Sequence, residues 1–305
     1  MTLKLLQLIR FKNLLLIALV QVLIKYAMFP AFGVNTTLTA FQFALLVIST
    51  LTIAAGGYII NDIYDVEADR INKPNKLIIG KHIPEDKAYI YYMVFTVIGV
   101  ILGFYLSNLI NRNTFFAIFV IIAALLYIYA TFLQQIVLVG NIIISMLVGL
   151  SLVIVGIFEL LPAINTQNQF IQSSMFEVVF DYAVFAFIIS LAREIVKDIQ
   201  DVDGDYKMQF KTLPIVLGKN RARYIAFGLT VFLILLLIYY LANYLYMRQV
   251  AVAYFIIAVI GPLVYISIKL FSAETKAQYK SISNLLKLVM LSGMLSMIVY
   301  LFILK

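Results

Sequence analysis

Residues 39–70 read TAFQFALLVISTLTIAAGGYIINDIYDVEADR. An uncharged run, Thr39–Ile60, passes directly into a stretch that holds Asp62, Asp65, Glu67 and Asp69. The first part is long enough to cross the hydrocarbon core of a bilayer as a helix, which takes about 20 apolar residues. The second part is too acidic to enter that core. The junction therefore predicts a membrane helix that ends at an aqueous face with acids gathered at its mouth.

The rest of the chain has the same character. Of 305 residues, 64% are hydrophobic and only 12% are charged, with a mean hydropathy of +1.01. A soluble domain is about 45–50% apolar and about 25% charged, so most of this surface must face lipid. The net charge of +8 reads as a topology signal in so apolar a chain, not as a nucleic-acid footprint. There is no cysteine and one histidine, His82. Thiolate chemistry and histidine-rich metal sites are excluded, and any metal must take oxygen ligands, as hard cations such as Mg²⁺ do. His82 lies in a polar loop and reads as solvated.

About nine stretches meet the length test: 14–34, 39–60, 88–109, 114–133, 136–161, 175–191, 224–246, 250–270 and 284–304. The first follows Lys4, Arg10 and Lys12. Its apolar run is too long for a signal peptide and no small-residue cleavage site follows, so it is expected to be a retained helix. With the N-terminus in the cytoplasm, 18 of the 23 Lys and Arg fall on the cytoplasmic side and three outside. Lys25 and Lys287 fall within spans. The positive-inside rule then predicts a cytoplasmic N-terminus and an outside C-terminus. Two connections are long and charged, 61–87 and 193–223, and both are predicted to be cytoplasmic loops. The expected architecture is an all-α integral membrane protein, one domain over 1–305. Its helices bundle around a central cavity beneath a small cytoplasmic cap formed by the helix 2–3 and 6–7 loops.

Those two connections carry a faint internal repeat. Residues 62–69 read DIYDVEAD and residues 198–205 read DIQDVDGD, identical at five of eight positions. The repeated segments, 61–70 and 197–206, suggest a pseudo-symmetric pair facing one cavity. Asp62, Asp65 and Asp69 stand at i, i+3 and i+7, as do Asp198, Asp201 and Asp205. Helical residues at that spacing share a face. Three carboxylates on one face repel one another, and shared divalent cations would remove the repulsion. Mg²⁺ is usually held by one or two carboxylates plus substrate phosphates. The six acids therefore predict a Mg²⁺-bridged clamp for a di- or polyphosphate. Arg70, Lys73 and Lys76 follow the first motif, and Arg193 and Lys197 precede the second; such cations can touch phosphate oxygens directly. Such a clamp at the mouth of a helix bundle implies an amphiphilic substrate, a pyrophosphate on a long hydrocarbon. A solvated charged loop or an acidic cation pathway are the competing explanations. The matched spacing argues against the first, and the position at span ends against the second.

At these residues the chain resembles the intramembrane prenyltransferase superfamily named after UbiA. The family pattern NDxxDxxxD is met by Asn61, Asp62, Asp65 and Asp69 and continues through Arg70 to Gly80. The second motif, from Arg193 through Asp198, Asp201, Gly204 and Asp205 to Lys211-Thr212-Leu213-Pro214, is similar to one branch, the digeranylgeranylglyceryl phosphate synthases. Arg10-Phe11-Lys12-Asn13 resembles the family's opening, and Tyr129 to Gly140-Asn141 its fourth-to-fifth-helix connection. The resemblance runs from about Arg10 to Gly218. The chain departs from the pattern at Gln134, where the family has Lys, at Lys73 and Lys76, where Arg is common, and at Ile78-Ile79. If the family's Lys holds pyrophosphate, another base must do so here.

The resemblance implies a mechanism. Mg²⁺ and basic side chains neutralise pyrophosphate, an allylic cation forms in an apolar, aromatic cavity, and the acceptor attacks C1. On this basis Asp62, Asp65, Asp69, Asp198, Asp201 and Asp205 are expected to ligate the metal. Arg70, Lys73, Arg193 and Lys197 are expected to contact pyrophosphate. Asn61 is expected to orient the first motif or to contact phosphate, with a helix C-cap as the alternative. Asn13, Tyr129 and Asn141 either line the cavity near the acceptor or make interhelical hydrogen bonds. Lys25 and Asp181 stand in or near spans, as functional charges or as snorkelling ones. The implied reaction moves a geranylgeranyl-like chain from its pyrophosphate to the hydroxyl of a prenylglyceryl phosphate lipid. An aromatic acceptor (quinone, haem or chlorophyll type) is the alternative, and a non-catalytic isoprenoid-binding protein is a third possibility. The expected partners are these substrates and membrane lipids, with no obligatory protein partner and no nucleic acid.

Overall fold

A computed structural model describes residues 2–303. Nine helices among the described residues are long and apolar enough to cross a membrane. They are α1 (Phe11–Ala31), α2 (Ala40–Tyr64), α3 (Glu85–Leu109), α4 (Asn113–Thr131), α5 (Val139–Ala163), α6 (Gln169–Lys207), α7 (Lys219–Leu245), α8 (Gln249–Ser272) and α9 (Lys276–Phe302). Short helices at Thr2–Leu8, Val66–Asn72 and Leu213–Leu217 accompany them. No strand is present among the described residues.

The helices begin and end for local reasons. Thr39 caps α2 reciprocally with Gln42: its hydroxyl accepts from the Gln42 N–H, and its own N–H donates to the Gln42 side chain at 2.9 Å, a capping box. Glu85 and Asp86 open α3, where the positive end of the helix dipole favours acids. Close packing in the bundle uses small residues, as expected where lipid supplies no hydrophobic drive between helices. A Cβ on Gly56 would come within 2.4 Å of the Thr96 hydroxyl, and one on Gly99 within 2.5 Å of Ile53, so α2 and α3 lie backbone to backbone.

α6 packs against α5, α7 and α9, and against the short helix Val66–Asn72. At 39 residues it is about 58 Å long, against a hydrocarbon core of about 30 Å. This corrects the expectation of a long loop over 193–223. The helix does not stop where its apolar run stops but carries Arg193 and the whole second motif to Lys207, leaving a connection of only 208–218 that itself contains a helical turn. The physical reason is that the motif's i, i+3, i+7 spacing and its lack of proline are compatible with a helix; Pro214 comes only after α6 has ended. The first connection is likewise partly helical. α2 continues through Asp62 to Tyr64, the chain bends at Asp65 (ψ 0°), and Val66–Asn72 follows as a separate short helix.

Lys25 does not snorkel. It sits in a π-helical turn of α1, Ile24–Met28, and is 6% exposed. Its ammonium donates to Glu159 at 2.5 Å and to the Leu38 carbonyl at 2.6 Å. Glu159, fully buried on α5, also accepts from the Leu38 N–H at 3.0 Å.

Candidate active site at the charged end of the bundle

The two aspartate motifs meet. Asp62 lies on the last turn of α2, Asp65 at the bend, Asp69 on Val66–Asn72, and Asp198, Asp201 and Asp205 along the projecting end of α6. All six are half-buried. The close approach depends on Gly204, where a Cβ would fall 2.3 Å from the Asn72 amide nitrogen and 2.7 Å from the Ala68 carbonyl. In that gap the Asn72 amide donates to the Asp201 carbonyl at 2.7 Å and accepts from the Gly204 N–H at 2.9 Å. Only a residue without a side chain admits this double hydrogen bond between the arms.

Lys73 bridges the motifs, with its ammonium 2.6 Å from Asp201 and 3.5 Å from Asp69. Burial works against its charge, but the two carboxylates prevail and push it up. Asp65 is pushed up to about 7 by burial and by repulsion from Asp69 and Asp62. Asp69 is raised too, by burial first, with Lys73 opposing and Asp62 and Asp201 adding to it. Two amides hold the Asp65 carboxylate, Asn61 on one oxygen and Gln134 on the other at 3.0 Å. The Asn61 side chain is thus bonded to Asp65, which itself stands at the C-cap of α2. Arg10 donates to Asp62 at 2.6 Å and lies 4.9 Å above the Tyr58 ring. It does so from a left-handed backbone (φ 50°, ψ 51°), a strained geometry for a non-glycine residue.

The remaining expected residues separate into groups. Asn141 donates to Asp198 at 2.8 Å. Tyr129 lies within electrostatic reach of Glu194, Asp65 and Asp198. Arg193 and Lys197 pair with Glu194 at 3.2 and 2.6 Å. Asn13 accepts from Lys287 at 2.5 Å. Arg70 pairs with Glu67 at 2.7 Å on the exposed surface, and none of its ion pairs among the described residues is to the six aspartates. Sequence reasoning did not select Arg10, Asn72, Gln134, Glu194 or Lys287 as site residues. Arg10 and Gln134 had a signal, in the family-like opening and in the departure from a family Lys; Asn72 and Glu194 lay inside quoted motifs.

Among the described residues no three acids already converge as a finished metal cage. The donor set nonetheless suits a hard divalent cation. It consists of half-buried carboxylate oxygens on two arms, with Asp65 and Asp69 raised by burial and further by repulsion from neighbouring aspartates, which a cation would relieve.

Residues 16–292 match the UbiA prenyltransferase family. The chain is 32% identical over 249 residues to the digeranylgeranylglyceryl phosphate synthase of Methanosphaera stadtmanae, a match covering 80% of this chain and 82% of that protein. Among solved structures, a UbiA homolog from Aeropyrum pernix K1 superposes with a TM-score of 0.70 at 14% identity, covering 92% of this chain and 97% of the other. A UbiA homolog from Archaeoglobus fulgidus bound to GPP and Mg²⁺ does so with a TM-score of 0.56 at 17% identity, covering 97% and 99%. At those identities the likeness is one of fold. The sequence match, however, takes in both aspartate motifs and the helices that bring them together, and the chain belongs to the UbiA prenyltransferase family.

Proposed function

We propose that the chain transfers a long, geranylgeranyl-like prenyl group from its pyrophosphate to the hydroxyl of a prenylglyceryl phosphate lipid, with Mg²⁺. The observation that carries this is the junction of the two arms, where Asn72 and Gly204 lock them together and Lys73 spans Asp69 and Asp201. Residues 128 to 132 positions apart in sequence are brought to hydrogen-bond distance between the two aspartate motifs. The Methanosphaera relative supports the choice of lipid acceptor, and the GPP- and Mg²⁺-bound Archaeoglobus structure supports the donor and metal.

Asp62, Asp65 and Asp69 on one arm, with Asp198, Asp201 and Asp205 on the other, would hold Mg²⁺, which when bound supplies positive charge to the leaving pyrophosphate. Lys73 stands between the arms and would move from Asp201 to a phosphate oxygen. Arg193 and Lys197, now shared with Glu194, would serve the same anion, and Arg70 would reach it only after leaving Glu67. These cations favour the charge that develops as the C1–O bond breaks. Asn61 and Gln134 keep Asp65 aimed inward, Gln134 doing so with an amide where the family carries Lys. Asn141 does the same for Asp198. Tyr129 and Asn13 would line a central cavity, with apolar walls that exclude water from the cation.

The charge distribution supports a cytoplasmic N-terminus and an outside C-terminus, so the site would open to the cytoplasm beneath a cap made by Val66–Asn72 and the projecting end of α6. The test uses purified protein in detergent with radiolabelled geranylgeranyl pyrophosphate and two acceptors, geranylgeranylglyceryl phosphate and 4-hydroxybenzoate. Label reaching the glyceryl lipid, and only with Mg²⁺, is the expected result. Label reaching the aromatic acid instead would overturn the acceptor assignment.

A further inference from the structure

Beside the two aspartate motifs lies a second charged site, of opposite sign. Lys287 stands on α9 eleven residues after its first residue, about 16 Å along the helix. Its ammonium donates to Asn13 on α1 at 2.5 Å. The charged side chains acting on it are Arg193 and Lys12, both cations. Among the described residues, no carboxylate is in ion-pair contact with Lys287 or Lys12. Arg193 reaches towards the same place, its Nε donating to the Ser283 carbonyl at 3.3 Å, one turn before Lys287 on the same face of α9. Unlike the aspartate motifs, where acids outnumber cations, this corner of α1, α6 and α9 gathers three cations, of which Arg193 shares Glu194 with Lys197 while Lys12 and Lys287 have no carboxylate in ion-pair contact among the described residues. Grouped cations at the edge of a bilayer are unfavourable unless an anion joins them.

The ground beneath this corner is apolar. A recess between α5, α6, α7, α8 and α9 is lined by Tyr182, Ile189, Leu237, Val259, Met290 and Met297, among others. Ile189 is one turn below Arg193 on α6, and Met290 one turn below Lys287 on α9. Residues at i, i+3 and i+4 share a helix face, so Arg193 and Lys287 stand on the same faces of α6 and α9 as the recess, one turn nearer the charged end. Cations above an apolar recess are the chemistry that a negatively charged head on a hydrocarbon would meet.

We propose that Lys287, with Asn13 and Lys12, binds the phosphomonoester of the acceptor lipid, whose hydrocarbon lies in this recess; the proposal rests on the acceptor being a phosphate-bearing lipid. Arg193 stands between the two anions and is shared by them. The acceptor is thus held by its charge on one side of the bundle mouth while the donor pyrophosphate is held on the other, which brings the acceptor hydroxyl towards C1.

The test measures acceptor binding without donor or Mg²⁺, so it is independent of turnover. Thermal unfolding of the full-length protein in detergent is followed with geranylgeranylglyceryl phosphate, its dephosphorylated alcohol, inorganic phosphate and phosphatidylglycerol. The phosphorylated lipid is expected to stabilise the wild type, and Lys287→Met to weaken its apparent affinity about 10-fold or more, as for loss of a charge-assisted hydrogen bond. Lys287→Arg should recover most of it. The alcohol should bind wild type and Lys287→Met equally. In the kinetic assay, Lys287→Met should raise KM for the acceptor and leave KM for geranylgeranyl pyrophosphate unchanged. Lys12→Met, at an exposed position, should act in the same direction more weakly and serves if Lys287→Met does not fold. Unchanged lipid affinity in these variants, or equal stabilisation by phosphatidylglycerol or inorganic phosphate, would overturn the proposal. Transfer to the glyceryl lipid by a Lys287→Met protein with normal acceptor KM would remove this site and leave the proposed reaction standing. A wild type that binds 4-hydroxybenzoate and not the glyceryl lipid would remove both.

Discussion

The two ends of the bundle treat buried charge in opposite ways. At one end, Lys25 and Glu159 are almost wholly buried, and each finds further backbone partners at Leu38. The Glu159 carbonyl also receives the Thr37 N–H and hydroxyl at 3.1 and 2.9 Å. The two charges of this pair are matched, and the connection between α1 and α2 is tied to the end of α5. At the other end six half-buried aspartates share a few partners, chiefly Arg10, Lys73 and three side-chain amides. The same chemistry, carboxylate against ammonium in low dielectric, makes a closed clasp in one place and an open site in the other. What differs is stoichiometry. A matched pair has no electrostatic reason to take up a ligand, whereas an excess of acids gains from every cation that arrives.

The open end should be the more sensitive of the two to substitution. Asp65→Ala or Asp201→Ala is expected to lower kcat by at least about 100-fold, the scale on which preorganised charge acts in catalysis, while the unfolding temperature in detergent stays near that of the wild type. Retained activity in a folded variant would show that the two arms do not act on one substrate. At the closed end the prediction reverses. Glu159→Ala leaves Lys25 buried and unpaired and should cost about 3–5 kcal/mol of stability, read by thermal or denaturant unfolding. The double variant Lys25→Met/Glu159→Leu should regain most of that loss, since apolar residues replace buried pairs well.

Gly204→Ala sharpens the contrast. Its Cβ would collide with the Asn72 amide and should lower activity about 10-fold while costing about 1–3 kcal/mol in stability. Adding Asn72→Ala should restore stability more than activity, because the room is recovered but the tie between the arms is not. The smallest effect concerns pH. Asp65, raised to about 7 by burial and by Asp69 and Asp62, takes up a proton as pH falls through that value and in that form competes with metal. The Mg²⁺ concentration for half-maximal activity should therefore rise on going from pH 8 to 6, by up to about 10-fold per unit below the transition. A flat profile would mean that Asp65 does not bind the metal.

Much of this is legible in the sequence. Nine apolar runs of sufficient length carry the fold class because only helices satisfy their own backbone in lipid, and the duplicated aspartate spacing carries the site. What could not be read came from pairings between distant segments. Glu159 sits unremarked near the end of an apolar run, and its partner lies 134 positions away. Arg10 looks like a topology charge until it is seen against Asp62, and Asn72 has no meaning without Gly204. The end of α6 was misjudged for a different reason. Hydropathy reports where the bilayer ends, and a helix whose backbone bonds are internal need not end there. Lys287 was seen only as a charge within a span, because its neighbours Asn13 and Arg193 come from the other two-thirds of the chain.

The central claim is that both arms grip one pyrophosphate. It is tested most directly by measuring binding of geranylgeranyl pyrophosphate against Mg²⁺ concentration for the wild type, Asp65→Ala, Asp201→Ala and the double variant. A single clamp predicts that either substitution removes most Mg²⁺-dependent binding and that the double variant is scarcely worse than either alone. Independent, additive losses from the two arms would contradict it.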